Sequence, residues 1–412
     1  MNIFQFIGLL RQIYGTKKPD LKLIQNKGLL AMKIAQHYAL RIDFLDEGVC
    51  RELSKLFRNT DSLPPDSIDK LIQKNCPPGW INSFSRFDTK AFASASIGQV
   101  HRGTLLDEQK VVIKLIRDNN RAKFLEDLKR IEKFIRIIIM IYPKLKRVFN
   151  PLDALEYIKD YTLSELDLKN EIAGKNRLEE IKQKYEHIYN LDQLRLPHYH
   201  EELSNSDVLV SELIEGKTFE ELLTAGNLQY DTLLDFFKIH GFYLFAIGEF
   251  HGDIHPGNII LDNNNNIVLI DNGAISTVQP QTRLGLFNFF EALSHYDYQE
   301  SANCLHAMSH NQISDTQLKK FHSEFIKLYS DFKNSSVSQV SLTKKMMHTI
   351  KLGVHNGMTF GDDMFGIIKG LMYLDGMTLR CKPDANLMLD IRSFVDVLKP
   401  ALNKVEELNQ TS

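Results

Sequence analysis

The stretch "HGDIHPGNIILDNNNNIVLIDNG", residues 251–273, decides how the rest of the chain is read. Two short apolar runs, Ile259–Leu261 and Ile267–Ile270, flank an aspartate and four asparagines, residue types that tolerate tight-turn backbone. The pattern predicts a hairpin. Closing it brings its open ends together, with Asn258 on one side, Asp271 on the other and Asp253 on the loop before them. Two oxygen ligands on a rigid hairpin suit a hard cation such as Mg²⁺, which takes one or two protein ligands and fills its other sites with water and phosphate.

The spacing is also that of phosphoryl transfer by protein kinases. His251, Asp253 and Asn258 fit H-R-D-x-x-x-x-N, whose aspartate takes the proton of the attacking group and whose asparagine holds metal. Asp271-Asn272-Gly273 fits D-F-G apart from its middle residue, although by itself it is an ordinary turn sequence. No A-P-E segment follows Asp271, so a peptide-docking activation loop is not expected.

Such a site needs a cation on the phosphates. Lys114 stands alone in "VVIKLI", a β-type run, where a charge is costly unless paired or held by phosphate; a lysine snorkelling from an edge strand is the less favoured alternative. Ahead of it, Ala93, Ser94, Ala95 and Ser96 in "ASASIGQV" leave little bulk, so backbone N–H groups there can approach a phosphate, as in many small-residue turns that bind nothing. The strand "VLVSELIEG" (208–216) reads as a lobe connection, with backbone beside Glu212 and Leu213 available to an adenine, or as plain core. In "SELDLKNEIAGKN" (164–176), Glu165, Asp167 and Glu171 offer carboxylates for Lys114, with Asp167 and Glu171 at i, i+4. In "MKIAQHYALR", Lys33, His37 and Arg41 form a polar stripe with Gln36 at its margin, the pattern of a surface helix.

The remaining sequence bounds the class. The 412 residues exceed one small core, and 43% hydrophobic with 25% charged residues is ordinary globular composition. A net charge of −2 argues against nucleic acid as a partner. Four cysteines without CxxC spacing fit a reducing compartment and offer no zinc site. "MNIFQFIGLLRQIYGTKK" lacks a secretory pattern, and the apolar run Ile137 to Tyr142 is far short of the ~20 residues a span needs. A cytoplasmic chain is expected, with peripheral contact at the inner face of a membrane as the variant. The helix "IFQFIGLLRQIY" and the segment "FIRIIIMIYPKLKRVF" are candidates for such contact, with core packing the favoured account of each.

The motifs in this order resemble the UbiB (AarF/ADCK) atypical kinase-like family over about residues 27–276. "MKIAQ" with "LRIDFL" is similar to its K-x-G-Q signature, "ASASIGQVHRG" to its alanine-rich loop, "VVIK" to its ATP-lysine strand, "ELDLKNE" to its E-x-D segment, and "FHGDIHPGN" with "IDNG" to its catalytic and metal loops. The resemblance implies an α+β, protein-kinase-like two-lobed fold: a helical extension over 1–80, a small β-containing N-lobe with a helical insertion over 81–216, and a mostly helical C-lobe over 217–412. It implies that Lys114 pairs with Glu171 and touches ATP phosphates, that Asn258 and Asp271 hold Mg²⁺, and that Asp253 takes the catalytic-loop position. Lys33 and Gln36 would reach into the cleft near Glu165 and Asp167, blocking a peptide substrate. Three positions depart: Asn272 replaces an apolar anchor, Ala35 replaces a glycine and would be strained at positive φ, and Ser94 interrupts the alanines.

The implied activity is a Mg-dependent ATPase or atypical kinase supporting ubiquinone (isoprenoid quinone) biosynthesis, with an isoprenoid lipid or quinone precursor and quinone-biosynthesis enzymes as partners. A nucleotide-sensing pseudokinase scaffold is the second reading, favoured by Asn272 and Ala35. An aminoglycoside-type phosphotransferase is the third, and it leaves "MKIAQ" and "ELDLKNE" without a role.

Overall fold

Strand periodicity organises the first part of the chain. Along β4 (Lys110–Ile116) the buried residues Val111, Ile113 and Leu115 share one face, so Lys114 points to the other. β4 pairs antiparallel with β3 (Gly98–Leu105) and with β6 (Val208–Glu212), and β3 also takes β1 (Phe84–Phe87) and the two-residue β2 (Ala93–Ser94). One face of this sheet packs on Trp80, Ile68 and Leu71; on the other, Ile116 and Leu209 meet Leu166, Leu168 and Tyr199. A computed structural model describes residues 1–39, 45–57, 67–94, 97–117, 120–142, 151–361 and 363–411.

The chain divides into two units, Met1–Ala173 with His198–Leu213, and Gly174–Pro197 with Ile214–Ser412. In the first, a helical core lies beside the sheet elements in sequence. The helices Ile3–Gly15, Leu21–Gln25, Leu29–Ala39 and Glu47–Ser54 pack with Asn120–Ile141 and Pro151–Glu165 through Leu9, Ile13, Ile24, Ile34, Phe124 and Ile158. Their apolar residues recur at helical spacing, which is why a single sequence suffices to read them.

The second unit contains the predicted hairpin. β9 (Ile259–Asp262) and β10 (Ile267–Leu269) pair antiparallel, with Ile259 opposite Leu269 and Leu261 opposite Ile267. Asn265 takes the turn with φ 63°, the left-handed backbone that asparagine tolerates. Around the hairpin stand short strands that carry no periodicity. β5 (Leu194–Arg195) runs parallel to β10, β7 (Gly216–Thr218) pairs with β9, and β8 (Glu249–His251) pairs with β11 (Ile275–Thr277). The rest is helical, including Tyr230–Gly241, Pro280–Ser294, Leu342–His355, Asp363–Cys381 and Leu387–Thr411. The helix Tyr230–Gly241 runs into a π turn at Phe242–Ile247 that Gly248 ends with φ 85°, delivering the chain into β8. Among the described residues, no helix is long and apolar enough to cross a membrane.

Beneath β8, His240 is buried with its ring edge-on to Phe250 at 5.4 Å. Burial, then nearby His251, pushes its pKa down to about 3. The unfolded residue binds a proton below about pH 6.5, and the folded residue refuses it until about pH 3. Stability is therefore present above the unfolded value and falls as pH drops through that interval. Unfolding midpoints measured at pH 7 and pH 5 should fall less for His240→Leu than for the unaltered protein; an equal fall contradicts this.

Candidate functional site

The loop between β8 and β9 is held by its own backbone. Gly252 N–H donates to Ala274 O at 2.6 Å, and a Cβ at Gly252 would lie 2.3 Å from Ser276 Oγ and 3.0 Å from Ala274 O, so a larger residue there forces its neighbours to shift. His251 is 2% exposed, and burial holds its pKa below the usual histidine value, leaving the ring neutral. Its Nδ1 accepts the Asp253 N–H at 3.2 Å, which assigns the proton to Nε2 and orients the backbone that carries the Asp253 carboxylate. His255 Nδ1 accepts from Gly257 N–H at 2.9 Å, starting the single turn Pro256–Asn258.

Asn258 then joins loop and hairpin. Its Nδ2 donates to Asp253 O at 3.0 Å and faces Asp253 Oδ2 at 3.4 Å, while its main-chain O accepts Ile270 N–H at 2.9 Å. Asp271 is the next residue, exposed, at φ 63°. Asn258 Oδ1 and the Asp271 carboxylate are hard oxygen donors at the two ends of one hairpin, a donor set that fits Mg²⁺. Asn272, expected to leave an apolar anchor missing, is fully buried and donates to Leu269 O at 3.0 Å, so a hydrogen bond takes the place of packing. Directly against it lies Gly174: a Cβ there would sit 2.0 Å from Asn272 O.

In the first unit, Lys114 Nζ lies 2.6 Å from Glu171 Oε1, with both side chains largely buried. Glu171 is in the first turn of the helix Lys169–Tyr185, opposite to the sheet face that forms the Trp80 core. Glu165 instead forms an ion pair with Lys33, whose ammonium is 5.6 Å from the Tyr161 ring centre and whose side chain is 3% exposed. Asp167 precedes the helix and accepts Lys169 N–H at 3.1 Å; the helix break after Glu165 removes the i, i+4 face it was expected to share with Glu171. Gln36 is buried and donates to Leu56 O at 3.0 Å, with its Oε1 unpartnered among the described residues. Ala35 is buried inside the helix Leu29–Ala39, so the strain anticipated at positive φ does not arise.

The remaining sequence-derived residues lie as follows. Ala93 and Ser94 pair with Val100 and Gln99, and Ala95 and Ser96 lie outside the described residues, as do Arg41, Lys144, Lys146 and Arg147. Glu212 N–H donates to His198 O and Leu213 N–H to Lys110 O, both at 3.0 Å. An adenine meeting this segment would therefore use their carbonyl oxygens or the residues that follow. Sequence reading missed Lys369, whose Nζ is 2.9 Å from Asp253 Oδ1. The signal was present: "FGIIKGLMYL" isolates one lysine among apolar residues, the same criterion that singled out Lys114.

A strand lysine paired with a helix glutamate, together with a loop and hairpin presenting Asp253, Asn258 and Asp271, places the chain in the kinase-like class of α+β folds. More particularly, the chain belongs to the ABC1 atypical kinase-like family, whose domain description matches residues 55–305. It is 26% identical over 386 residues to a probable protein kinase UbiB of Histophilus somni, covering 90% of this chain and 69% of that protein. A Clostridium pasteurianum protein described as uncharacterized, from the hydrogenase 1 5′ region, is 25% identical over 389 residues, covering 92% and 69%. The solved complex of Rv3197 with erythromycin from Mycobacterium tuberculosis shares the fold, with a TM-score of 0.52, 18% identity, and coverage of 92% of this chain and 95% of that one.

The Gly174 contact generates a direct test. Gly174→Ala sets a methyl against a main-chain oxygen, so the helix or the Asp271–Gly273 loop must shift, at about 1–3 kcal/mol of stability. Chemical denaturation should show this loss, whereas Gly376→Ala, where an added Cβ meets nothing within 4 Å, should cost none. Equal stability of the two variants contradicts the contact.

Proposed function

We propose that the chain is a Mg-dependent ATPase or atypical kinase of the UbiB type that supports ubiquinone synthesis or the handling of isoprenoid lipids. The observation that carries this reading is the Asn258 side chain, turned to Asp253 on one side while its main chain is tied to the residue before Asp271 on the other. In this reading Asn258 and Asp271 hold Mg²⁺, which when bound neutralises charge on the triphosphate. Lys114, oriented by Glu171, meets the phosphates. Asp253 accepts the proton of the attacking water or hydroxyl, and neutral His251 keeps that carboxylate's backbone in place without competing for the proton.

The helical segment 1–80 acts as an extension that controls access, with Lys33, Gln36, Glu165 and Asp167 as its contacts; 81–216 acts as an N-lobe and 217–412 as a C-lobe. The occupied Asn272 anchor and the unstrained Ala35 support turnover over a binding-only scaffold. Partners are ATP, an isoprenoid or quinone precursor, and quinone-synthesis enzymes at a membrane face. The exposed apolar residues Phe4, Met140 and Ile141 favour peripheral contact with lipid.

Phosphate release from ATP, measured with and without liposomes, tests the reading. Asp271→Asn keeps a residue that tolerates φ 63° while removing the charge, and should lower turnover by at least about 100-fold. Hydrolysis that survives this change refutes the assignment. Liposome-stimulated release supports the lipid role, and release indifferent to lipid counts against it.

A further inference from the structure

One face of the helix Asp363–Cys381 is built against the loop that carries Asp253. Gly366, Lys369, Gly370 and Tyr373 follow i, i+3, i+4, i+7 spacing and so share that face. At Gly366 an added Cβ would lie 3.2 Å from Ser276 Oγ and 3.9 Å from the Phe250 ring, and at Gly370 it would lie 3.9 Å from Ile254. The approach is tight at Gly366 alone; at Gly370 the nearest atom, His240 Nε2 at 3.6 Å, leaves ordinary contact distance. Tyr373 sets its ring edge-on to His255 at 5.4 Å. Between these contacts Lys369, 7% exposed, places its ammonium 2.9 Å from Asp253 Oδ1.

The cost of burying an ammonium decides what this means. A desolvated charge without a partner is among the most destabilising features a core can hold, and apolar residues in place of both members of a buried pair are often as stable or more so. Stability alone therefore gives no reason for a lysine here. What the lysine supplies is a fixed positive charge on one carboxylate oxygen, while Asn258 Nδ2 faces the other at 3.4 Å. Two elements distant in sequence thus fix the plane of one carboxylate. Among the described residues, Lys369 sets a positive charge against one carboxylate oxygen and Asn258 a carboxamide against the other, while His251 holds the backbone N–H of Asp253.

We propose that Lys369 is a positioning residue for Asp253: it fixes the carboxylate's orientation and so sets the rate of the phosphoryl-transfer step without contacting the nucleotide. This rests on the reading of Asp253 as the base. The cation comes from a helix more than a hundred residues away, which couples the C-terminal helices to the loop.

Lys369→Met, which keeps the stem and removes the charge, and Lys369→Arg, which keeps the charge, separate the roles. In ATP-hydrolysis assays on folded protein, Lys369→Met should lower kcat about 10- to 100-fold with KM for ATP within about twofold, and Lys369→Arg should recover most of the loss. A purely structural lysine would lower the unfolding midpoint and leave kcat per folded molecule unchanged. Folded Lys369→Met with undiminished kcat, or Lys369→Arg no better than Lys369→Met, overturns the proposal. If Lys369→Met does not fold, Asp253→Asn and Asp253→Asn/Lys369→Met are compared by unfolding midpoint. Removing the stranded ammonium should then restore stability that Asp253→Asn loses, and no recovery overturns the pairing. Wild-type protein that neither binds nor hydrolyses ATP counts instead against the phosphotransfer reading.

Discussion

The closure of one hairpin governs the chemistry available to this chain. The Ile270 N–H bond to Asn258 O fixes where the incoming and outgoing strands meet, and every polar group of the loop is placed relative to that point. The register is the one that sets Ile259 opposite Leu269 and Leu261 opposite Ile267, with Ile259, Ile267, Val268 and Leu269 all buried. Hydrophobic burial thus positions a carboxamide and a carboxylate that are themselves hydrophilic. The left-handed backbone at Asp271 is sustained because neighbouring Asn272 is buried, hydrogen-bonded and backed by Gly174.

Among the described residues, Lys33, Lys114 and Lys369 have little solvent access and pair with Glu165, Glu171 and Asp253 respectively. Buried ion pairs rarely add stability over apolar packing. Their places at or beside the motif segments accord with the electrostatic handling of phosphate proposed above. Each pair also lies within a single unit, so its geometry follows from that unit's packing.

The parts legible in sequence are those where one residue pattern has one structural consequence. The Asp-Asn turn between two apolar runs gives the hairpin, and alternation around Lys114 gives a strand with one charged position. β5, β7, β8 and β11 were not legible, because two or three residues contain no period and their pairing depends on chain returning from elsewhere. The face expected to be shared by Asp167 and Glu171 does not form for a related reason: i, i+4 spacing implies a shared face only in a continuous helix, and one helix ends at Glu165 while the next starts at Lys169. Lys369 was overlooked because its partner lies over a hundred positions away, and Gly174 because a glycine's close approach to another backbone leaves no mark in its own segment.

The proposed binding of ATP through a divalent cation at Asn258 and Asp271 is open to calorimetric titration of ATP into the protein, with Mg²⁺ and then with the metal chelated. Strong binding with Mg²⁺ that is lost on chelation is expected; ATP binding of equal affinity in both conditions rules the metal-bridged site out.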